Sequence, residues 1–195
     1  MLKIGITGGI GTGKTTVCRV FETLGIPVFN ADMTAKSIMS TDDSLIASIK
    51  AEFGEESYSS NNELNRKYLA NKVFNNEEAL KKLNLLVHPA AIKAFEDWSK
   101  QQKSAYIIKE AAILFESGSY KDCDFVIVVT SPEDIRIKRV IERERVDEDN
   151  VRSRMDKQMP EEEKKKLADF IIINDGKEPI IPQVLKLNEY FNNKV

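Results

Sequence analysis

The stretch that most constrains this chain is residues 3 to 17, KIGITGGIGTGKTTV. Four residues of β character, Lys3, Ile4, Gly5 and Ile6, run through Thr7 into Gly8-Gly9-Ile10-Gly11-Thr12-Gly13-Lys14-Thr15. That satisfies G-x-x-x-x-G-K-[ST] at every fixed position, and a helix-forming pattern follows it. Glycines let the backbone curl so that successive N–H groups point inward, a concavity suited to phosphate oxygens. A helix starting near Gly13 adds its unpaired N–H groups and the positive end of its dipole. Lys14 can reach the β- and γ-phosphates, and the Thr15 hydroxyl is the expected ligand for Mg²⁺. A plain turn would not need four glycines in six residues, because glycine loses the most entropy on folding. The stretch predicts nucleotide binding through Gly11, Thr12, Gly13, Lys14, Thr15 and Thr16. It does not say what happens to the nucleotide.

Length and composition set the outer bounds. A chain of 195 residues, 42% apolar and 31% charged, suits one soluble domain with room for an inserted subdomain and a substantial core. The net charge of −2 argues for neither a nucleic-acid partner nor a membrane surface. Cys18 and Cys123 stand far apart without zinc spacing, and both read as reduced, buried small hydrophobes of a cytoplasmic protein. Glycines interrupt the first apolar run, so no signal-peptide pattern forms. The longest apolar run, Phe125-Val126-Ile127-Val128-Val129, is far too short to span a membrane.

Along the chain, Val17, Val20, Phe21 and Leu24 fall at helical spacing, and Gly25 stops that helix. A second short strand over 26–29 leads to Asn30-Ala31-Asp32. Asp32 admits two readings there: a base placed at the carboxyl end of a strand, where ligands of open α/β sheets sit, or a cap for the helix predicted over 32–40. Residues 32 to about 102 then lose strand character. Helices are predicted over 42–53, 63–74, 76–87 and 89–101, with a polar loop over 54–62. This block interrupts an α/β alternation and reads as an inserted, substrate-side module. The only histidine, His88, precedes Pro89 where one helix should stop and another begin, and a structural role is its plainer reading.

Further strands are predicted over 105–109, 123–130 and 170–173. Ser131-Pro132-Glu133 reads as a helix start, with Ser131 the candidate cap and proline in the first position. The helix it opens carries Arg136, Arg139 and Arg143 on one face and Ile137, Val140 and Ile141 on another. Either the arginines form a solvated face paired with Glu142 and Glu144, or they neutralise phosphate near a nucleotide. Asp147 caps a helix over 148–158, Pro160 opens the next, and a last amphipathic helix covers 180–191. Five strands separated by helices imply an α/β fold with a parallel sheet wrapped by helices.

Two classes of phosphate chemistry compete. A GTPase switch should carry D-x-x-G, which is absent, and N-K-x-D, which Asn71-Lys72-Val73-Phe74 fails at its fourth position. A small-molecule kinase needs an acceptor pocket, a base and a lid that excludes water. The helical insert, Asp32 and the arginine helix are candidates for each.

Here the ordered set of features resembles the dephospho-coenzyme A kinase family along nearly the whole chain. It comprises TGGIGTGKTT at 7 to 16, Ala31-Asp32, the Leu86-Val87-His88-Pro89 junction and Ile113-Leu114-Phe115-Glu116-Ser117-Gly118. It continues with Arg139 and Arg143, Arg154 with Gln158-Met159-Pro160, and Asp169 through Asn174 and Gly176. The resemblance implies a P-loop kinase fold with a nucleotide core (1–31, 103–131 and 168–195), a helical substrate-binding insert (32–102) and a lid (132–167). It implies transfer of the ATP γ-phosphoryl group to the 3′-hydroxyl of dephospho-coenzyme A with Mg²⁺. Asp32 would take the hydroxyl proton, and Lys14, Arg139 and Arg143 would surround the phosphates. Asn174 and Gly176 would lie beside the adenine, and His88 on the acceptor side. A nucleoside monophosphate is the alternative acceptor. Two departures stand out: the family commonly has Asp where this chain has Asn30, and Asp where it has Glu110. Glu110 could still hold a Mg²⁺-bound water.

Overall fold

A computed structural model describes residues 1–74 and 76–194; Asn75 in the predicted insert and Val195 at the end of the predicted core lie outside it. Five strands, β1 (Leu2–Thr7), β2 (Val28–Asn30), β3 (Tyr106–Glu110), β4 (Phe125–Thr130) and β5 (Phe170–Ile173), form one sheet in the order β2-β3-β1-β4-β5. Every pairing is parallel. Parallel neighbours need a crossover, and the sequence supplies helices for it. Ile4 and Ile6 of β1 join Tyr106, Ile108, Ile127, Val129 and Ile172 on one face. They pack there against Val17, Cys18 and Phe21 of α1 (Lys14–Thr23). Ile107, Val126 and Val128 alternate with these residues and are buried as well, so the central strands are covered on both faces.

The register sets where chemistry can gather. Ile6 lies beside Glu110, Asn30 beside Glu110, and Thr130 beside Ile173. The carboxyl ends of the strands therefore release the Gly8–Gly13 loop, Ala111, Ser131 and Asn174 along one edge of the sheet.

The chain divides into two compact units, one of residues 1–30 with 102–195 and one of residues 31–101. The second is helical: α2 (Ala31–Thr41), α3 (Asp43–Phe53), α4 (Arg66–Val73) and α5 (Glu77–Lys100). Leu45, Ile46, Ile49, Phe53, Tyr58, Leu69 and Val87 form its core. Asp42, Asn65 and Asn76 cap α3, α4 and α5 with side-chain oxygens, each worth about 1 kcal/mol. The polar stretch 54–62 contains a short 3₁₀ turn, Glu55–Ser57, and Tyr58 bridges Leu64.

Several expectations need correction. Pro89 does not divide two helices; α5 runs through it. Leu83, Leu86, Val87 and Ala90 continue one apolar stripe across the proline into the same cluster. Leu85, whose carbonyl loses its donor at Pro89, belongs to an exposed residue open to water. His88 is therefore mid-helix and half-buried, not at a junction. Asp32 lies in the first turn of α2, which already begins at Ala31. Cys18 is buried, but Cys123 is only half-buried. No described helix is long and apolar enough to cross a membrane.

The remaining helices of the first unit are α6 (Glu133–Glu144), α7 (Glu148–Met155), α8 (Glu161–Leu167) and α9 (Ile180–Asn192). Val184, Leu187 and Phe191 of α9 close the core over the α1 face. The start of α6 also differs from expectation. Ser131 does not cap it; its hydroxyl accepts a hydrogen bond from Arg139 instead.

Candidate active site

The Gly8–Gly13 loop is shaped by what holds its carbonyls. Gly8 O accepts from Lys14 Nζ at 2.9 Å, and Gly9 O accepts from the Thr12 hydroxyl at 2.9 Å. Ile10 O accepts from Arg136 Nε at 2.9 Å, and Thr12 O from Asn174 Nδ2 at 2.8 Å. Gly13 O receives the N–H groups of Thr16 and Val17 as α1 begins. These bonds hold the loop in a curled conformation. Gly13, at φ 89°, starts α1 in a left-handed conformation that L side chains rarely adopt. A Cβ there would also collide with the Asn174 amide.

Facing the loop is a cavity of about 290 Å³ lined by Ile10, Gly11, Gly13, Lys14, Thr15, Thr16, Ala112, Arg143, Arg154 and Gln158. Arg143 and Arg154 both reach Glu144, at 2.5 Å each. The hydrogen bond from Arg154, then that from Arg143, holds the Glu144 carboxyl below its ordinary value. One carboxylate thus sits between two cationic forks, the arrangement a phosphate would compete for. Loop, helix start, lysine and paired arginines gather donors and positive charge of the kind that suits polyphosphate.

A dephospho-CoA kinase family model matches residues 2–179. The chain belongs to the dephospho-CoA kinase family. A dephospho-CoA kinase of Bacteroides fragilis is 36% identical over 195 residues, covering all of this chain and 95% of the relative. Among solved structures, a Thermus thermophilus protein has a TM-score of 0.87 at 30% identity, covering 97% of this chain and 96% of that one. The dephospho-CoA kinase from Campylobacter jejuni has a TM-score of 0.70 at 28% identity, covering 99% and 98%. The protein is thus an ATP-dependent kinase of coenzyme A biosynthesis with the P-loop kinase fold.

In this kinase the expected site residues separate into groups. Arg139 does not line the phosphate cavity. Its guanidinium donates to Asn174 O at 3.0 Å, Asn174 Oδ1 at 3.3 Å and Ser131 Oγ at 3.2 Å. Arg139 and Asn174 form one assembly behind the loop, with Asn174 buried and Gly176, at φ 82°, in open space beyond it. The arginine helix is a solvated face only at its end: Arg136 is buried and Arg139 half-buried, while Arg143 is exposed and pairs with Glu144.

Glu110 is buried at the end of β3 and accepts a short hydrogen bond from the Asn30 amide. The two departures from the family pattern are therefore partners. An amide beside a carboxylate replaces like charges that would repel. The same carboxylate, after burial itself, raises the Cys18 thiol well above its usual range, so that cysteine stays protonated. The Thr15 hydroxyl and the Glu110 carboxylate are hard oxygen donors, the type Mg²⁺ takes, and they fit that ion with waters and phosphate completing its shell. Asp32 is half-buried at the start of α2 in the helical unit, which also carries His88.

Five residues in the same unit as the loop, Arg136, Glu161, Lys164, Glu116 and Gln158, were not singled out as site residues from sequence. Glu161 pairs with Arg136 at 2.8 Å and also accepts a short bond from Thr130. Lys164, 1% exposed, pairs with Glu116 at 2.8 Å. Gln158 binds the loop itself, through Ile10 N at 2.9 Å. Glu116 and Gln158 had a signal in the family pattern and Arg136 on the arginine helix; Glu161 and Lys164 had none.

Proposed function

We propose that the kinase binds ATP in the cavity at Gly11–Thr16 and transfers its γ-phosphoryl group to the ribose 3′-hydroxyl of dephospho-coenzyme A. The arrangement of the P-loop carries this reading: Arg136 and Asn174 hold the carbonyls of Ile10 and Thr12, while Lys14, Arg143 and Arg154 line the cavity. Lys14 turns from the Gly8 carbonyl to the β/γ-phosphates, and the two arginines exchange Glu144 for phosphate oxygens. Asp32 accepts the proton of the attacking hydroxyl, the oxygen bonds to phosphorus, and ADP leaves with the bridging oxygen. Mg²⁺, when bound through Thr15 and, by way of water, Glu110, would neutralise phosphate charge.

Arg139 is better supported as the residue that fixes Asn174 and the ATP-side loop than as one acting on the transferring phosphate. Residues 132–167 serve as the lid, 31–101 with His88 as the acceptor side, and the enzyme works in the cytoplasm. The test is turnover of ATP–Mg²⁺ with dephospho-coenzyme A or a panel of nucleoside monophosphates, in the unaltered protein and in Asp32→Asn. Only dephospho-coenzyme A should be phosphorylated, and the variant should be slower by about 10²–10⁴-fold. A preference for a monophosphate overturns the acceptor. A loss under about tenfold overturns the base.

A further inference from the structure

We propose that Gln158 is a positioning residue for phosphoryl transfer, acting through the P-loop backbone at Ile10. Its side-chain carbonyl accepts the Ile10 N–H at 2.9 Å, while Arg136 Nε donates to the Ile10 carbonyl at 2.9 Å. The two peptide groups flanking the Ile10 α-carbon are thus gripped from outside, by side chains at the two ends of the stretch from α6 to the turn after α7. Ile10 stands between Gly9 and Gly11, the least restrained part of the loop. A loop that must aim neighbouring N–H groups at phosphate works best when that aim precedes the ligand.

The grips differ in what they depend on. Arg136 is buried and fixed by Glu161, so its hold is static. Gln158 follows α7, with its own N–H on Met155 O at 3.0 Å, and α7 carries Arg154. It lines both the phosphate cavity and a second cavity of about 380 Å³ shared with Arg136, Glu161 and Lys164. The position of a phosphate-facing arginine is thereby tied to the shape of the loop opposite. The chemistry also explains a neutral amide. A carboxylate would accept the same N–H but would set a negative charge beside the phosphate cavity.

This inference rests on the P-loop as the ATP site, and the two fail separately. The experiment measures amide exchange at Ile10 in the nucleotide-free enzyme, with ATP kinetics and melting, for the unaltered protein, Gln158→Met and Gln158→Glu. Met keeps the length and removes the acceptor. It should speed Ile10 exchange and lower kcat/KM for ATP, each by about tenfold, with both losses still present well below a slightly lowered melting temperature. Glu should keep Ile10 protected yet raise KM for ATP. Unchanged Ile10 exchange or unchanged kcat/KM in Gln158→Met overturns the proposal, as does a loss that only follows a lower melting temperature. If ATP fails to slow exchange at Gly11, Lys14 and Thr15 in the unaltered enzyme, the ATP-site reading fails instead.

Discussion

In the unit of residues 1–30 and 102–195, the buried polar residues include Thr7, Thr12, Lys109, Glu110, Thr130, Ser131, Arg136, Lys164 and Asn174; in residues 31–101, among the described residues, they are Ser57 and Ser99. The first unit surrounds its sheet edge with charged and amide groups whose bonds run between distant segments. The second is an apolar cluster with capped helices, and it leaves Met33, Phe74 and Leu85 well exposed. Buried polar groups cost stability unless they are bonded, so a fold keeps them where they fix geometry. Here Thr12, Arg136 and Asn174 fix the backbone of the Gly8–Gly13 loop. Substitutions at four positions test the contrast, from the largest expected effect to the smallest.

The strongest lies at Glu116 and Lys164. Burial opposes ionisation of Glu116, but hydrogen bonds from Lys164, its own backbone and the Met159 N–H outweigh it and hold the carboxyl below its ordinary 4.5. Glu116→Gln leaves the ammonium of Lys164, 1% exposed, without its counter-charge. Glu116 is partly open to solvent, so the loss should fall below that of a fully buried pair, at about 2–3 kcal/mol in denaturant unfolding. Because the folded carboxyl binds its proton less tightly than the unfolded one, its contribution is complete above pH 4.5 and drains away as pH falls below it. The variant should lack that acid-side loss. A loss well under 1 kcal/mol would break the comparison at its firmest point.

Arg139→Ala comes next. It removes donors from Asn174 O, Asn174 Oδ1 and Ser131 Oγ, and it should cost about 1–3 kcal/mol of stability. It should also raise KM for ATP by about tenfold or more, with kcat less affected, because the ATP-side loop loses its anchor. Lysine should rescue partly, since it reaches fewer acceptors without a planar fork. A fall in kcat alone, with KM and unfolding unchanged, would return Arg139 to the transferring phosphate.

The same contrast explains what was legible in the sequence. The P-loop, the five strands and the Asp147 cap of α7 are local signals, carried by neighbouring residues. The grips on the loop are not: Gln158 and Ile10 are 148 positions apart, Arg136 and Ile10 126. No periodicity ties such pairs together, so Arg136 read only as one of a charged face. Pro89 misled for the opposite reason. The local rule for proline ends a helix, while packing of Leu86, Val87 and Ala90 on both sides of it keeps α5 continuous. The pairing of Asn30 with Glu110 was equally hidden. Each looked like an isolated departure until the β2–β3 register placed them side by side.

The smallest effect, and the one whose sign matters most, is at Ser57. Its side-chain oxygen is fully buried in the helical unit with no hydrogen-bond partner, while its backbone N–H and C=O bond Gly54 and Asn65. Removing an unpartnered buried hydroxyl relieves its desolvation cost and leaves the backbone bonds in place. Ser57→Ala should therefore stabilise the protein by about 1 kcal/mol, raising the melting temperature by about 2–4 °C. Ser131→Ala is the paired experiment in the other unit. There the hydroxyl accepts from Arg139 at 3.2 Å, one of the bonds that fix that guanidinium, so that variant should be destabilised. Opposite signs for the same chemical change would show that the first unit uses its buried hydroxyls and the second merely tolerates one. Equal signs would mean the contrast between the units is one of composition alone.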